Sequence, residues 1–537
     1  MSVKQSSSIA IEIPSEVLNL TSLLYKIWVN TADLVVIIVA IGVSLFGWKY
    51  YFDHNLILAY NDSMSHLDIA RRVVDGLKPG FAQIGSVWLP LPHLLMLPFV
   101  WSNFLWHTGL AGSFTSILAF VGSAYLMYKI VFALTKSYPA AILGFLIFAI
   151  NPNMVYMQAI PMTESLLIFL SLGSFYFALL WEKTNDYRNL IITAFFILLA
   201  TLTRYDGWML LAQIAPIIFI ISWRRKGLKS AESNLILFMT LAFYGVILWL
   251  LWNLLIFHDP LYFANGPFSA KAQQMVFDSE GKLFSKGNVI YSIYIYTLAV
   301  IRNNGAIITL FAGVGAVYYF VKNRLSNQAL VMTLLFSPLI FNVLALFTGN
   351  SIINLPDIPP YTLFNVRYGL MLLPSIAIFI AYLSKKKFWL IPIVILTISF
   401  QAYFMYRDSD VITVTDGQKG ASAQNMSATG RWLKENVDGS GLILIAASSE
   451  DSLIFQSSLP MSRFIHEGTG QYWDTSLDNP TKYAEYVAMH HGDLVYQRLF
   501  DNENFLKNYE KVYDGDFTDI YKLSLNRNKP MTAADLP

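Results

Sequence analysis

The residues best suited to chemistry share one stretch, Tyr60-Asn61-Asp62-Ser63-Met64-Ser65-His66-Leu67-Asp68-Ile69-Ala70-Arg71-Arg72. It holds two carboxylates, a histidine and two arginines. A carboxylate can accept a proton, and an arginine offers a fork of donors to an anion. The stretch follows the first long apolar run, Ala32 to Trp48, so these charges lie just beyond lipid. Polar groups at that depth are costly unless used or paired. The stretch reads as a catalytic loop and the rest of the chain as its scaffold.

That scaffold is a membrane bundle. Of 537 residues, 55% are hydrophobic, 15% aromatic and only 13% charged. Soluble domains carry about 25% charged residues. The net charge of +2 gives no electrostatic footprint for nucleic acid. The absence of cysteine excludes disulfides, Cys-ligated zinc and thiol catalysis. Segment 1–31 is polar and of mixed charge, with Lys4, Glu12, Glu16 and Lys26. It lacks the apolar core of a cleaved signal peptide and reads as a cytoplasmic segment. Apolar runs then predict eleven spans, near 32–50, 110–134, 139–157, 163–182, 189–203, 206–223, 232–257, 303–322, 328–348, 366–383 and 388–405.

A further run, Val87 to Trp106, is interrupted by Pro90, Pro92 and Pro98. If it does not cross, one face collects Lys4 and Lys26, Lys136, Lys183 and Arg188, Arg224 to Lys229, Lys322 and Arg324, and Lys385 to Lys387. That bias marks the cytoplasmic side. Stretches 63–76 and 87–106 are then interfacial helices on the outer surface, although Arg71, Arg72 and Lys78 there run against the rule. The outer face collects the loop 51–86, the turns 158–164 and 203–207, and the loops 258–302 and 349–367. Thr203-Arg204-Tyr205-Asp206-Gly207 joins two short apolar runs, which holds Arg204 at or below the surface. Residues 32–406 form the membrane domain and 407–537 an extracytoplasmic α/β domain. In the latter, Gly417 to Asn425 reads as a linker. Ser427 to Glu435 and Pro480 to Met489 read as helices, Leu442 to Ala447 as a buried strand, and Val512 to Leu523 as a hairpin turning at Asp514-Gly515. The fold class is mainly α: a polytopic membrane helix bundle with a small C-terminal α/β domain.

The chain resembles the integral-membrane GT-C glycosyltransferases that use lipid-linked sugars, such as protein O-mannosyltransferases and aminoarabinose transferases. The resemblance spans about 32–405. It rests on Asp62 before an amphipathic helix, and on Pro161-Met162-Thr163-Glu164 opening a span. Asp259-Pro260-Leu261-Tyr262-Phe263 and Asn365-Val366-Arg367-Tyr368-Gly369 complete it. It implies transfer of a sugar from a polyprenyl phosphate to an acceptor hydroxyl, with inversion. By resemblance Asp62 is the base and Glu164 a second catalytic acid that orients the acceptor or a metal. Arg204 and Arg367 clamp the phosphate with Tyr368 nearby, and His66, Asp206 and His258 complete the substrate-binding set. Many relatives carry a lysine just before the proline pair of the outer helix. Here Ser86-Val87-Trp88-Leu89-Pro90-Leu91-Pro92 has none to make that phosphate contact. The implied partners are a polyprenyl-phosphate sugar donor, membrane lipids and a glycan, lipid or protein acceptor; separately, the lack of a eukaryotic retention signal favours a prokaryotic plasma membrane.

Plainer roles compete. Asp62 suits a helix N-cap worth about 1 kcal/mol. Glu164 suits the start of a helix, favoured by its dipole. Arg204 and Arg367 suit interface residues that snorkel, Asp206 a salt-bridge partner for Arg204, and His258-Asp259 a simple turn before Pro260. His66 shares a helix face with Asp62, so a divalent metal ion on Asp62, His66 and Glu164 stands open beside a plain surface histidine. A secondary transporter is the rival class, but transporters set their charges at the bilayer midplane in repeated halves. Here the charges favour one face and no halves match.

Overall fold

The computed structural model describes residues 15–279, 281–420, 427–437, 439–524 and 532–533. Segment 1–14 and residues 421–425 of the expected linker lie outside them. Helix α1 (Ser15–Asp53) starts well before the expected anchor at Ala32. A surface layer follows: α2 (Asn61–Val74), α3 (Leu91–Val100) and α4 (Asn103–His107). The expected interfacial run 87–106 is thus two short helices. The longer has 10 residues, about 15 Å, against a hydrocarbon core of about 30 Å.

The bundle continues through α5 (Leu110–Thr135), α6 (Tyr138–Ala149), α7 (Pro152–Met157), α8 (Glu164–Thr184), α9 (Tyr187–Thr201) and α10 (Asp206–Lys226). Next come α11 (Leu228–Ala242), α12 (Tyr244–Phe257), α13 (Tyr262–Asn265), α14 (Ala270–Ser279) and α15 (Val289–Asn304). The last membrane elements are α16 (Ala306–Asn323), α17 (Asn327–Met332), α18 (Ser337–Phe347), a 3₁₀ segment Val366–Leu372, α19 (Leu373–Lys386) and α20 (Leu390–Arg407). All eleven expected spans are helical. Among the described residues eight are long and apolar enough to cross a membrane, and α11 with α12 makes a ninth run bent by 41°. Helices α6 and α9, of 12 and 15 residues, are shorter. The chain is an integral membrane protein.

Local chemistry sets the turns. Lys136 ends α5 in the left-handed region, and Ser137 caps α6 by accepting from Ala140 N. Asn185 ends α8 the same way, and Asp186 caps α9. The α9–α10 turn is tight because residue 207 has no side chain: a Cβ there would lie 2.3 Å from Ala200 O. Gly369 permits a second close crossing, since its Cβ would meet Ala299 O of α15 at 2.3 Å. The loop expected at 258–302 therefore contains α15, which packs Ile295, Tyr296 and Ala299 inward and leaves Val289, Ile290 and Ile293 exposed.

Past α20, α21 (Ile412–Lys419) occupies the start of the expected linker, so Gly417 to Lys419 are helical. Then α22 (Ser427–Asn436) and α23 (Ala447–Ser457) accompany a five-stranded sheet. Its strands are β1 (Leu442–Leu444), β2 (Phe464–Ile465), β3 (Ala484–His490), β4 (Tyr509–Tyr513) and β5 (Thr518–Leu523), in the order β2-β1-β3-β5-β4. β1 is parallel to β2 and β3, while β5 is antiparallel to β3 and β4. The hairpin at 512–523 is as expected. Pro480 to Met489 is not a helix but a turn, Pro480–Lys482, leading into the central strand β3. A central strand is covered on both faces, so its apolar run loses the alternation that marks a strand.

The domain does not hang free of the bundle. One sheet face, with Ile443, Phe464, Tyr486 and Ile520, shares a core with Met64, Leu67 and Ala70 of α2 and Trp106 of α4. Burying the Met64 and Leu67 side chains is worth about 1.5–3 kcal/mol each. Arg72 reinforces the seam through Asp451, 3.1 Å away. Arg71 ties α2 to the neighbouring layer through Val100 O and Asn103 Oδ1.

A candidate active site at one end of the bundle

Asp62, Arg204, Asp206, Lys271 and Arg367 bring charge to one cavity of 620 Å³. Asp62 comes from the first turn of α2, and Arg204 from the α9–α10 turn. Asp206 starts α10, and Arg367 lies in the 3₁₀ segment before α19. Glu164, the first residue of α8, stands behind Arg204 and Arg367. The cavity size suits a small-molecule substrate. A larger groove of 920 Å³ on the outer side of α16 is lined by apolar residues, Thr309 and Tyr318, with no charged group to do chemistry.

Glu164 is the electrostatic hub. It is fully buried, and its Oε1 accepts from Arg204 Nη1 at 3.1 Å and Arg367 Nε at 3.2 Å. Arg204 also donates to Thr163 Oγ1 at 3.0 Å and through Nε to Asp206 Oδ2 at 3.2 Å. Arg367 Nη2 donates to Asp62 Oδ2 at 2.5 Å. Those bonds leave Nη2 of Arg204 and Nη1 of Arg367 without a protein acceptor among the described residues. The Tyr368 ring lies 5.2 Å from the Arg204 guanidinium and 5.3 Å from that of Arg367. Neither arginine snorkels away from the bundle; both turn inward to carboxylates.

Of the carboxylates, the Asp62 side chain is 31% exposed, against 0% for Glu164 and 9% for Asp206. Asp62 is therefore the carboxylate of the three that is open to a ligand. It is not an N-cap: that position belongs to Tyr60, and the Asp62 carboxylate is turned to Arg367. His66 lines the same cavity. Burial, then the Arg204 and Arg367 charges, push it down to about 3, so it is neutral at pH 7. Its Nδ1 meets His93 Nε2 at 2.9 Å, and its ring lies against Trp88.

The structure therefore brings together Asp62, Glu164, His66, Arg204, Asp206, Arg367 and Tyr368. His258 is the exception. It ends α12 with a φ of +59°, is exposed, and does not line the cavity. The left-handed turn at the helix end carries it away, so it leaves the substrate-binding set. The open metal set also fails to assemble: among the described residues no three His, Asp or Glu side chains could hold a metal ion. The two guanidinium groups occupy Glu164 Oε1, and His93 occupies His66 Nδ1.

Tyr60 and Asp416 also contribute, beyond the residues singled out in the sequence. Tyr60, the residue before α2, stacks against the Arg367 guanidinium at 4.9 Å and donates to Thr413 O. Asp416 of α21 accepts from Tyr60 Oη and from Val366 N, both at 3.1 Å. It thereby braces the backbone next to Arg367. The one available signal was an acid close behind the last span, in a segment whose composition matched a linker.

No protein-family model and no curated protein matches the chain. Among solved structures it is similar to ArnT from Cupriavidus metallidurans bound to undecaprenyl phosphate. The match has 11% identity and a TM-score of 0.58, over 92% of this chain and 99% of that one. The apo structure of the same ArnT matches at 12% identity and a TM-score of 0.53, over 90% and 97%. At such identity the likeness is one of fold: the chain adopts the membrane fold of these ArnT structures.

Proposed function

We propose that the protein is a membrane glycosyltransferase that moves a sugar from a polyprenyl-phosphate-linked donor to an acceptor hydroxyl, inverting the anomeric centre. The observation that carries this reading is the convergence of Asp62, Arg204, Asp206 and Arg367 on one cavity, with Glu164 joining the two arginines. That the similar ArnT structure holds undecaprenyl phosphate supports a lipid-linked donor. Asp62 is the base: it takes the proton of the attacking hydroxyl as the new bond to the anomeric carbon forms. The bond from that carbon to the phosphate oxygen breaks on the opposite side, and its electron pair leaves with the phosphate. Arg367 orients Asp62, and Glu164 holds both arginines in place. The free nitrogens of Arg204 and Arg367 are donors for the phosphate oxygens. Fixing both substrates in one cavity lowers the barrier by several kcal/mol more.

The charged groups sit at helix starts and turns rather than at mid-helix, which disfavours the transporter alternative. The catalytic end faces outward, with the C-terminal domain on that side, as in a plasma-membrane enzyme. The test is transfer of radiolabelled sugar from synthetic polyprenyl-phosphate sugars to mixed hydroxyl acceptors by the purified chain. Labelled product with inverted stereochemistry is expected. Donor-independent passage of free sugar across vesicles, with no product, would instead favour transport.

A further inference from the structure

We propose that His93 is a positioning residue: it holds the His66 ring so that a bare Nε2 faces the cavity as an acceptor for a substrate hydroxyl. The inference rests on the glycosyltransferase reading above and concerns a group that mechanism leaves unused. His93 lies in α3, is fully buried and is not part of the cavity wall. Its one hydrogen bond of ordinary geometry among the described residues joins Nε2 to His66 Nδ1 at 2.9 Å. Burial, then the neighbouring His66 and Arg72, push His93 well below the usual histidine range, so both rings are neutral at pH 7. The Trp88 ring, 4.3 Å between centroids, also seats His66. With Nδ1 committed to His93, Nε2 is the nitrogen His66 has left for a ligand in the cavity it lines.

Two neutral imidazoles share one proton between them, and the ring that donates it decides what His66 Nε2 can do. If His93 donates, that Nε2 carries a hydrogen. If His66 donates, it is a bare acceptor. Two observations select the second arrangement. The Leu89 carbonyl, four residues back, favours a proton on the His93 ring, and Nδ1 must carry it because Nε2 meets His66. His54 and His107 turn Nδ1 to the carbonyl four residues back in the same way, at 2.7 and 2.9 Å. His93 Nδ1 closes no full hydrogen bond, but a bare nitrogen there would set lone pair against lone pair. Protonated on Nδ1, neutral His93 has Nε2 free to accept from His66. The second observation is charge. Arg204 and Arg367 act on His66 and line the same cavity. The bare nitrogen is the negative end of a neutral imidazole, so it is favoured toward those cations. Asp62 lies four residues earlier on the same face of α2. The helix thus offers the cavity two acceptors, a carboxylate and an uncharged imidazole nitrogen. The group recognised by His66 is a hydroxyl, of the donor sugar or of the acceptor.

The experiment uses the full-length protein in lipid nanodiscs, labelled with ¹⁵N-histidine. NMR reads the tautomer of His66, whose signals are assigned by their loss in His66→Gln. Wild type should show the proton on Nδ1. His93→Phe keeps an aromatic ring but removes the acceptor, and it should move the His66 proton to Nε2. His93→Gln, whose amide oxygen can accept from Nδ1, should restore the wild-type form. Transfer is then measured with the synthetic polyprenyl-phosphate sugars and hydroxyl acceptors of the assay above. His93→Phe should raise KM by about 2–10-fold, the range for a neutral hydrogen bond, with kcat little changed. A rise in donor KM assigns the hydroxyl to the sugar, and a rise in acceptor KM assigns it to the acceptor. In a His66→Phe background, His93→Phe should add nothing. A proton on Nε2 in wild type would overturn the assignment, and so would an unchanged tautomer and KM in His93→Phe. A lower Tm with KM intact would make the pair core packing only and overturn it too. No transfer by wild type from any donor would remove the glycosyltransferase reading, and the hydroxyl role with it.

Discussion

Replacing Asp62 by asparagine separates catalysis from scaffolding. Asparagine has the same shape and can still accept from Arg367, but it cannot take a proton. General-base catalysis contributes about 10²–10⁴-fold, so turnover should fall by that factor. Stability should change little. The Asp62–Arg367 pair is partly open to solvent, with 31% of the Asp62 side chain exposed, and pairs of that kind contribute about 1 kcal/mol or less. Arg367 also keeps Glu164 at 3.2 Å and the Tyr60 ring at 4.9 Å. No cap is lost, because Tyr60 holds that position. Glu164→Ala is the contrasting variant. It leaves Arg204 and Arg367, both largely buried, without their shared acceptor. Removing one partner of a buried charge network costs about 3–5 kcal/mol. The assay is sugar transfer from a polyprenyl-phosphate donor, alongside Tm and donor affinity for each purified variant. Asp62→Asn should lose turnover with donor affinity and Tm intact, while Glu164→Ala should lose Tm first. Near wild-type turnover in Asp62→Asn would refute Asp62 as the base.

Two predictions test the surroundings of the site. Gly109 at the start of α5 packs against Ile57 and Leu58 near the site, so Lys136 at the end of α5 marks the opposite end of the bundle. Gly420, which donates to Asp416 O, marks the site end. Reporter fusions should place Lys136 in the cytoplasm and Gly420 outside, and finding both on one side would break the arrangement. The second concerns the seam under α2. Burial raises Asp451 from 3.8 to about 6; Arg72 opposes the shift, and Glu467 and Glu450 add to it. Burial also raises Asp68, fully enclosed beside it. A carboxyl that holds its proton more tightly when folded stabilises below its unfolded pKa, and that contribution is lost as pH rises through the folded value. Asp451→Asn should therefore gain Tm relative to wild type between about pH 4 and pH 6. A difference that stays flat, or that favours wild type at the higher pH, would contradict the sign.

Most of the site was legible because charge in an apolar chain is conspicuous. Asp62, Glu164, Arg204, Asp206 and Arg367 each interrupt or border an apolar run, and each is found at the cavity or directly behind it. His258 satisfied the same criterion and failed. A residue at a helix end leaves in whichever direction the turn takes, and a left-handed turn sent it outward. Lys271 and Asp416 do not stand out in the sequence for the opposite reason. They lie in segments where polar residues are common, and only tertiary packing brings them to the site. Helix α15 went unread because its apolar face is shared between the bundle and the surface, so it looks like neither span nor loop. The strand at Ala484–His490 reads as helix in the sequence because two-sided burial erases its alternation.

The proposed base, Asp62, is positioned from two directions by two kinds of force. Helix α2 is seated by hydrophobic burial, with Met64, Leu67 and Ala70 in the core of the C-terminal sheet. That force is non-directional and fixes the helix as a body. Orientation of the Asp62 side chain comes from Arg367, which the bundle holds through Glu164 and through Asp416 at the preceding backbone N–H. Charge-assisted bonds are directional and strengthen in a water-poor site. The membrane bundle alone would supply a charged cavity whose base had no seated helix. The sheet alone would supply a seated helix whose carboxylate had no partner. The placement of Asp62 therefore belongs to the joint between the two parts, and α2 is that joint.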